Sequence, residues 1–222
     1  MQDKIFNKKM QDEMRNFFID NLIDQGVIKY YSKNSIILSP TKEYIAIVVD
    51  GKIKQTLINE KGASKLLYIL QRGEVIGEVD YFGGGDINIT SVAMTNTRIS
   101  IINKENLEKA LTNNPNIYRY LLYSSSRKFR IIMLQLESLA FSDSLSALAK
   151  QIIRLYAQEG KKINDKKIID LPLTHQDIAE LMGVSRVTVT RGLNTLKDED
   201  IIDIENKRII INDEDELLKY LF

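Results

Sequence analysis

Several residue types that mark common kinds of functional site are scarce in this sequence. It contains no cysteine and a single histidine, His175. Without cysteine the chain has no disulfide framework, no thiolate metal site and no cysteine-ligated iron–sulfur cluster. No stretch approaches the roughly 20 apolar residues that span a bilayer, and the N-terminus lacks the apolar core of a signal peptide. These absences favour a cytoplasmic protein that has no membrane partner.

An excess of charge of one sign is also missing. The 31 Lys and Arg residues are balanced by 30 Asp and Glu residues, which gives a net charge of +1. From Phe141 to the end there are 12 basic and 15 acidic residues. A basic domain is the usual electrostatic sign of a nucleic-acid partner. Because none is present, an argument for nucleic-acid binding has to rest on local motifs.

The first half of the chain changes from helical to strand-like periodicity. Its 222 residues suit two domains, and residues 1–25 carry apolar side chains at helical spacing. From Val27 to about Asn103, short apolar runs separated by turns predict a β-barrel or sandwich. The pair Asp50-Gly51 lies between two of these runs and predicts a two-residue hairpin with a type I′ turn.

Helical periodicity returns at Lys104 and, after Asn114-Pro115, continues to about Leu139. Seven residues in this helix follow a 4,3,4,3,4,3 spacing, the heptad pattern by which two helices pack along each other. A second stripe on an adjacent face can pack on the same chain, and it consists of Ile117, Leu121, Ile131 and Leu134. Two apolar faces favour a homodimer, although a helix buried in its own domain is the alternative. The expected dimer surface, called the heptad face below, consists of Tyr118, Leu122, Ser125, Phe129, Ile132, Leu136 and Leu139.

Residues 173–202, LTHQDIAELMGVSRVTVTRGLNTLKDEDII, carry signals for two short helices. Thr174 followed by Asp177 resembles a capping box at the start of the first helix. Gly183 permits the left-handed turn that ends this helix, and Ser185 can cap the second one. This layout predicts a helix-turn-helix, and the run DIENKRIII after it predicts a short hairpin, or wing, with Lys207 near its tip.

The outward face of the second helix is suited to reading the major groove of DNA. Arginine can span two hydrogen-bond acceptors on guanine, and valine can offer apolar contact to a thymine methyl group. The expected base contacts are Arg186, Val187, Thr190 and Arg191. Backbone contacts are expected where helix N-termini and the wing meet phosphate, at Thr174, His175, Ser185, Thr188 and Lys207. A helical hairpin of an unrelated core with solvated arginines is the competing interpretation. The charged loop with Lys161, Lys162, Lys166 and Lys167, together with Arg208, could also contact the DNA backbone or simply be solvated.

The sequence resembles the Crp/Fnr family of bacterial transcription regulators over nearly its whole length. GVSRVTVTRGLNTLKDEDII is similar to the recognition-helix signature, and Leu139-Ala140-Phe141 to the usual hinge. GEVIGEVDYFGGG, Gly73–Gly85, is similar to the segment that opens the ligand-binding cassette. The resemblance implies an α+β chain that comprises an N-terminal cyclic-nucleotide-binding-type, cupin-like β-barrel (1–112), a dimerisation helix (113–140) and a C-terminal winged helix-turn-helix (141–222). It also implies RNA polymerase as a partner.

Departures from the family pattern bear on the effector. Relatives that bind cyclic AMP hold its phosphate with an Arg–Ser pair, and the aligned positions here are Asn88 and Ile89. Cyclic AMP is therefore not expected, because a buried phosphate without a cation is costly. Haem is not expected either, since His175 lies in the DNA-binding segment. A small, apolar effector or none remains. Tyr68 and Phe82 are further lining candidates, although aromatic residues in such a barrel more often belong to the core. The expected effector pocket consists of Gly77, Glu78, Tyr81, Asn88, Ile89, Phe129, Ile132 and Met133.

The leading hypothesis is a homodimeric regulator that binds pseudo-palindromic double-stranded DNA. Many relatives carry glutamate at the position of Val187, so the resemblance implies a changed preference at one base pair. An enzyme built on a cupin-type barrel is disfavoured because the barrel segment has no histidine, and no catalytic residue or metal ligand is assigned. A signal-binding module that acts through protein partners without binding DNA is the alternative function.

Overall fold

The computed structural model describes residues 6–37, 43–84, 88–164 and 166–220. The chain divides into two compact units, Lys9–Ile132 and a second one that includes Met133–Phe222. This division falls inside the long helix, whereas the sequence analysis places boundaries at 112/113 and 140/141. A continuous helix that supplies residues to both units gives no change of sequence pattern at the division.

The first unit begins with a helix and continues as short strands. Its helices are α1 (Lys8–Leu22), α2 (Glu78–Gly83) and α3 (Lys104–Asn113), and a 3-10 turn, Ile23–Gln25, follows α1. Its strands are β1 (Val27–Tyr31), β2 (Ile36–Ile37), β3 (Tyr44–Asp50), β4 (Lys52–Ile58), β5 (Ser64–Gln71), β6 (Val75–Ile76), β7 (Ile89–Ala93) and β8 (Thr97–Asn103). The predicted N-terminal helix and the predicted series of short strands are confirmed.

The strands of the first unit form two four-stranded antiparallel sheets. Their orders are β1-β8-β3-β6 and β2-β7-β4-β5. Phe18 and Leu22 of α1 are buried in one cluster with Ile45 of β3 and Ile102 of β8, so α1 packs on the first sheet. This is the predicted cyclic-nucleotide-binding-type architecture, although among the described residues the two sheets do not close into one barrel.

The hairpin predicted at Asp50-Gly51 is wrong. Strand β3 pairs with β6 and β8, while β4 pairs with β5 and β7. Gly51 has a φ of +90°, and a Cβ at this position would lie 2.7 Å from the Asn96 carbonyl oxygen. Gly51 therefore serves a corner at which the chain passes from one sheet to the other. The hairpin that joins β4 to β5 lies instead around Gly62, which has a φ of +79°.

The long helix α4 (Asn116–Phe141) is a single element, as predicted. The second apolar stripe is buried at Ile117, Leu121 and Ile131 and half-buried at Leu134. The heptad face stays at the surface of the single chain, where only Ser125 and Ile132 are half-buried. The second stripe therefore packs on its own chain, while the heptad face remains exposed and could contact a second copy.

In the residues that the structure describes, four helices of the second unit follow α4. They are α5 (Ser144–Glu159), α6 (His175–Met182), α7 (Arg186–Asp198) and α8 (Glu214–Lys219). Strands β9 (Gly160–Ile163), β10 (Lys166–Ile169), β11 (Ile202–Glu205) and β12 (Arg208–Ile211) form one sheet in the order β11-β12-β10-β9. Helix α5 is capped at its N-terminus, because the Asp143 carboxylate accepts hydrogen bonds from the amides of Leu145 and Ser146, each at 2.9 Å. The predicted wing is confirmed as β11 and β12.

The expectation of a charged loop around Lys161–Lys167 is wrong. This segment forms β9 and β10, and β10 extends the wing sheet by pairing Ile168 with Ile210 of β12. Its lysines alternate with few apolar residues, so the strand pattern is weak in the sequence. The pairing buries Ile169 completely, and this burial stabilises the hairpin.

Candidate nucleic-acid interface and buried charges

Helices α6 and α7 are positioned by the predicted caps. The Thr174 hydroxyl accepts from the Asp177 amide at 3.1 Å, and the Asp177 carboxylate accepts from the Thr174 amide at 3.0 Å, which completes a capping box. Gly183 ends α6 with a φ of +74°. Ser185 then accepts from the Thr188 amide at 3.1 Å and starts α7. These local contacts define both ends of the turn between the two helices.

Helix α7 presents one face to the core and the opposite face to solvent. Leu193 is 1% exposed and Val189 is completely buried, whereas Val187 is 59% exposed. Arg186 and Arg191 are also exposed, and neither has an ion pair or a side-chain hydrogen bond within the described residues. Their guanidinium groups are therefore available to bind an external acceptor.

Thr190 differs from its predicted neighbours because its hydroxyl is already engaged. It donates to the Arg186 carbonyl at 3.0 Å and lies 2.9 Å from Nδ1 of His175. A hydroxyl has one proton, so the imidazole Nδ1–H is the donor in the second contact. This contact connects the start of α6 to the middle of α7.

A concave surface lies between the wing and the helix-turn-helix. Its volume is about 510 Å³, and His175, Arg186 and Lys207 contribute polar groups to its lining. Asn206 and Lys207 have φ values of +51° and +63° and form the tight tip of the wing. The Lys207 carbonyl accepts from the Leu173 amide at 3.1 Å, so the wing tip is tied to the segment before α6.

Three of the lysines in β9 and β10 neutralise carboxylates of their own unit. Lys161 pairs with Asp170 at 2.6 Å, and Arg208 of the wing pairs with the same carboxylate at 3.2 Å. Lys166 contacts Glu205 at 3.3 Å, and Lys167 contacts Glu214. These side chains therefore have partners within their own unit, which the loop interpretation did not contain.

The predicted effector pocket contains a buried ion pair. Gly77 has a φ of +94° and precedes Glu78, which is 1% exposed. Lys128 of α4 lies 2.6 Å from the Glu78 carboxylate, donates to the Val75 carbonyl at 2.8 Å, and lies 5.5 Å from the centre of the Tyr68 ring. The described residues offer no hydrogen-bond partner to Oε2 of Glu78. Glu78 and Tyr68 were predicted from the sequence, whereas Lys128 was not.

The other predicted pocket residues are more dispersed. The hydroxyl of Tyr81 donates to Glu108 of α3 at 2.5 Å. Asn88, Phe129 and Met133 are exposed, and Ile89 and Ile132 are half-buried. Only Gly77 and Glu78 among the predicted set are fully buried in the single chain.

A second buried charge cluster was missed altogether. Arg15 of α1 and Arg127 of α4 each lie 2.9 Å from the same carboxylate oxygen of Glu74, and the Gln71 amide donates to the other oxygen at 3.0 Å. The buried amide of Gln11 lies within hydrogen-bonding distance of this group. Burial raises the pKa of Glu74, but the two arginines outweigh it and hold the pKa at about 2.

A signal for Lys128, though not for Arg15 or Arg127, is present in the sequence. Buried residues of α4 recur at 4,3,4,3,4,3 spacing, and polar residues interrupt the apolar ones. A polar residue inside an otherwise apolar stripe indicates a buried partner of opposite charge or hydrogen-bonding type. The full stripe is Ile117, Leu121, Ser124, Lys128, Ile131, Gln135 and Ser138.

The two units match two known domain families. Residues 28–114 match the cyclic nucleotide-binding domain, and residues 146–220 match the Crp-like helix-turn-helix domain. The global nitrogen regulator of Nostoc sp. (strain PCC 7120) is 30% identical over 190 residues, which cover 84% of this chain and 85% of that relative. This chain belongs to the Crp/Fnr family. It is a DNA-binding transcriptional regulator of that family's type.

Other Crp/Fnr proteins align over most of their length. The cAMP-activated global transcriptional regulator CRP of Salmonella typhimurium is 25% identical over 209 residues, which cover 93% of this chain and 98% of that relative. The structure of OCPA-complexed CprK matches with a TM-score of 0.70 and 27% identity over 88% of this chain and 91% of that one. A CooA mutant from Carboxydothermus hydrogenoformans, 21% identical, matches with a TM-score of 0.77 over 90% of this chain and 89% of its own, which shows the shared fold. Within the residues that the structure describes, no helix has the length and apolar character needed to cross a bilayer.

Proposed function

We propose that this Crp/Fnr protein is a homodimer that binds pseudo-palindromic DNA sequence-specifically. The observation that carries the proposal is the exposed surface of Arg186, Val187 and Arg191 on a helix that is capped at its N-terminus and flanked by a wing. The side chains of Arg186 and Arg191 are long enough to reach base edges when α7 lies in the major groove. Val187 can contact only an apolar group such as the thymine methyl.

Phosphate contacts would fix the orientation of α7 on the duplex. Thr174 and His175 lie at the N-terminus of α6, and Ser185 and Thr188 at that of α7, where unpaired backbone amides favour an anion. Lys207 at the exposed wing tip adds a cation. Thr190 supports this arrangement through His175 and Arg186 instead of reading a base itself.

The heptad face supports the homodimer. The exposed fractions are 69% for Leu122, 66% for Phe129, 56% for Leu136 and 53% for Leu139. Phe82 is 49% exposed, and its ring centre lies 6.3 Å from that of Tyr118, which extends the apolar surface beyond the helix. Burial of such a stripe against a second copy would place two recognition helices on half-sites about one DNA turn, roughly 34 Å, apart.

The Lys128–Glu78 ion pair supports an effector other than cyclic AMP, or none. A phosphate that recruited Lys128 would leave the Glu78 carboxylate buried without a cation, which is strongly unfavourable. Neither Asn88 nor Ile89 supplies a positive charge. Oε2 of Glu78 instead offers one acceptor to a hydroxyl or amino group of an uncharged ligand. Activation by cAMP, as in the Salmonella relative, is therefore not proposed for this chain.

Selection of bound DNA from random sequences tests the DNA-binding proposal. We expect a pseudo-palindromic motif, and we expect Arg191→Ala to weaken binding by about 1–3 kcal/mol and to relax preference at one base pair. Val187→Glu is the companion variant, and it should shift preference toward cytosine contact at a different position. Equal losses on selected and random DNA would limit Arg191 to phosphate contact. Failure of the wild-type protein to enrich any motif, with or without cell extract, would favour a module that acts through protein partners.

Sedimentation velocity tests the homodimer separately. Leu122→Glu places a charge in the middle of the heptad face and should convert a dimer to a monomer, because a carboxylate buried in an apolar interface is costly. Ser126→Glu is the matched control, since Ser126 is exposed on α4 outside the heptad face. A wild-type monomer, or equal behaviour of the two variants, would contradict the proposed interface. The family also implies RNA polymerase as a partner. Binding of RNA polymerase can be measured with the dimer bound to its selected DNA.

A further inference from the structure

Arg154 of α5 is a buried cation with neutral partners. It is 6% exposed, and Nη1 donates to the Leu134 carbonyl at 2.6 Å and to the Ser138 hydroxyl at 2.9 Å. Nη2 donates to the Gln151 side-chain oxygen at 3.2 Å. Among the described residues, no carboxylate forms an ion pair with Arg154 and no acceptor reaches its Nε–H.

This arrangement leaves positive charge inside the second unit. Burial lowers the pKa of Arg154 to about 10, and the more distant carboxylate of Glu137 acts in the opposite direction, so the side chain is protonated at neutral pH. Glu137 itself lies 3.4 Å from Lys150. A buried guanidinium is normally stabilised by an anion that accepts its hydrogen bonds.

Arg154 lines a pocket of about 90 Å³ beside the end of α4. The volume is sufficient for an anion the size of acetate or phosphate. Lys150 adds a second cation nearby, because it donates to the Ser142 hydroxyl at 3.1 Å. Apolar side chains from the end of α6 close the opposite wall. The polar lining groups belong to Gln135, Ser138, Ser142, Ser144, Gln151 and Arg154.

We propose that this pocket binds a small oxyanion, with Arg154 as the cationic contact and the serine hydroxyls as donors. Inorganic phosphate and small carboxylates share the required chemistry, since both accept several hydrogen bonds with separate oxygens. The pocket contacts α4, α5 and α6, so an anion bound there stabilises the unit that carries the recognition helix. The proposal does not depend on dimerisation or on an effector at Glu78.

The test is thermal denaturation of the full-length protein, without DNA, in increasing phosphate at constant ionic strength. We expect the melting temperature of the wild type to rise and then saturate below about 100 mM phosphate, as ligand linkage requires. Acetate, titrated in the same way, distinguishes a carboxylate site from one that needs phosphate. Arg154→Gln should weaken the apparent affinity for phosphate at least about tenfold.

Two further variants keep the outcome decisive. Ala147→Leu fills the pocket from α5 with a good helix former while Arg154 is retained, and it should also abolish the saturable rise. If Arg154→Gln fails to fold by circular dichroism, Ala147→Leu decides the question. Lys219→Gln removes an exposed cation of α8 in the same unit and should leave the rise unchanged.

Three results would overturn the proposal. The wild type could show no saturable rise, or the rise could persist in both pocket variants, which would indicate an adventitious ion only. Alternatively, a further variant, Arg186→Gln, could abolish the rise while the pocket variants retain it. That result would place the phosphate on the DNA-facing surface.

Discussion

The two units of this protein place charge in their interiors in different ways. In the first unit, Arg127 and Lys128 of α4 each meet a buried carboxylate, Glu74 or Glu78, at less than 3 Å. In the described part of the second unit, the buried arginine, Arg154, meets only neutral oxygens. The ion pairs in the described part of the second unit lie nearer its surface, as between Lys161 and Asp170.

This difference indicates what holds each unit together. The first unit depends on specific charge pairs that join α1, α4 and the segment before α2, and loss of one partner leaves another charge buried. The second unit depends on an apolar core and on helix caps, each of which contributes about 1 kcal/mol. Removal of one partner of a buried charge pair in the first unit should therefore lower the free energy of unfolding far more than removal of a helix cap in the second unit.

Glu74→Gln should have the largest effect. The substitution leaves Arg15 and Arg127 buried without their shared carboxylate, and we expect a loss of about 3–5 kcal/mol in the free energy of unfolding. Chemical denaturation measures this loss. Glu105→Gln is the control, because Glu105 pairs with Lys109 on the surface, and it should cause no measurable change. Similar losses for both variants would remove the distinction between buried and surface pairs.

Lowering the pH should also weaken the cluster of Glu74, Arg15 and Arg127, with a smaller loss of unfolding free energy than Glu74→Gln causes. Because the pKa of Glu74 is lowered to about 2 from its ordinary 4.5, its ionised form stabilises the fold fully above about pH 4.5. As pH falls from 4.5 towards 2, this contribution should decline by about 1.4 kcal/mol per pH unit. The measurement is the difference in unfolding free energy between wild type and Glu74→Gln at several pH values. A difference that stays constant across this window would contradict the role of the ionised carboxylate.

Thr174→Ala should have the smallest effect, in the second unit. It removes the hydroxyl half of the capping box at α6, and we expect a loss of about 1 kcal/mol. Thr195→Ala is the matched control, since the Thr195 hydroxyl only donates to the Arg191 carbonyl within α7. A loss as large as that of Glu74→Gln would mean that the second unit also depends on individual polar contacts.

Local spacing was sufficient to predict the features that local interactions determine. The capping box at Thr174, the turn at Gly183 and the inward face of α7 follow from residues a few positions apart, and the structure confirms them. The corner at Gly51 was not predicted, because an Asp-Gly pair has the same local signature whether the next strand pairs with the previous one or joins another sheet. Sheet pairing is non-local, and it also explains why β10 was missed.

The candidate site was predictable to a lesser degree. Arg186 and Arg191 could be assigned from their position opposite Val189 and Leu193. The engagement of Thr190 by His175 could not, because it depends on how closely two helices approach. Lys128 could not be assigned from apolar periodicity, because a lysine does not contribute to an apolar pattern even when it lies within the buried stripe.

Helix α4 has one further mechanical consequence. Its buried stripe begins at Ile117 and its heptad face at Tyr118, and both follow the same 4,3 spacing to Ser138 and Leu139. Every position of the buried stripe is therefore followed directly by a position of the heptad face. Because the two rows run side by side without drifting apart, a small roll of the helix about its own axis would move the whole outer row in one direction. A rearrangement at a single buried side chain such as Lys128 would thus rotate the helix about its axis and shift every residue of the heptad face in the same direction.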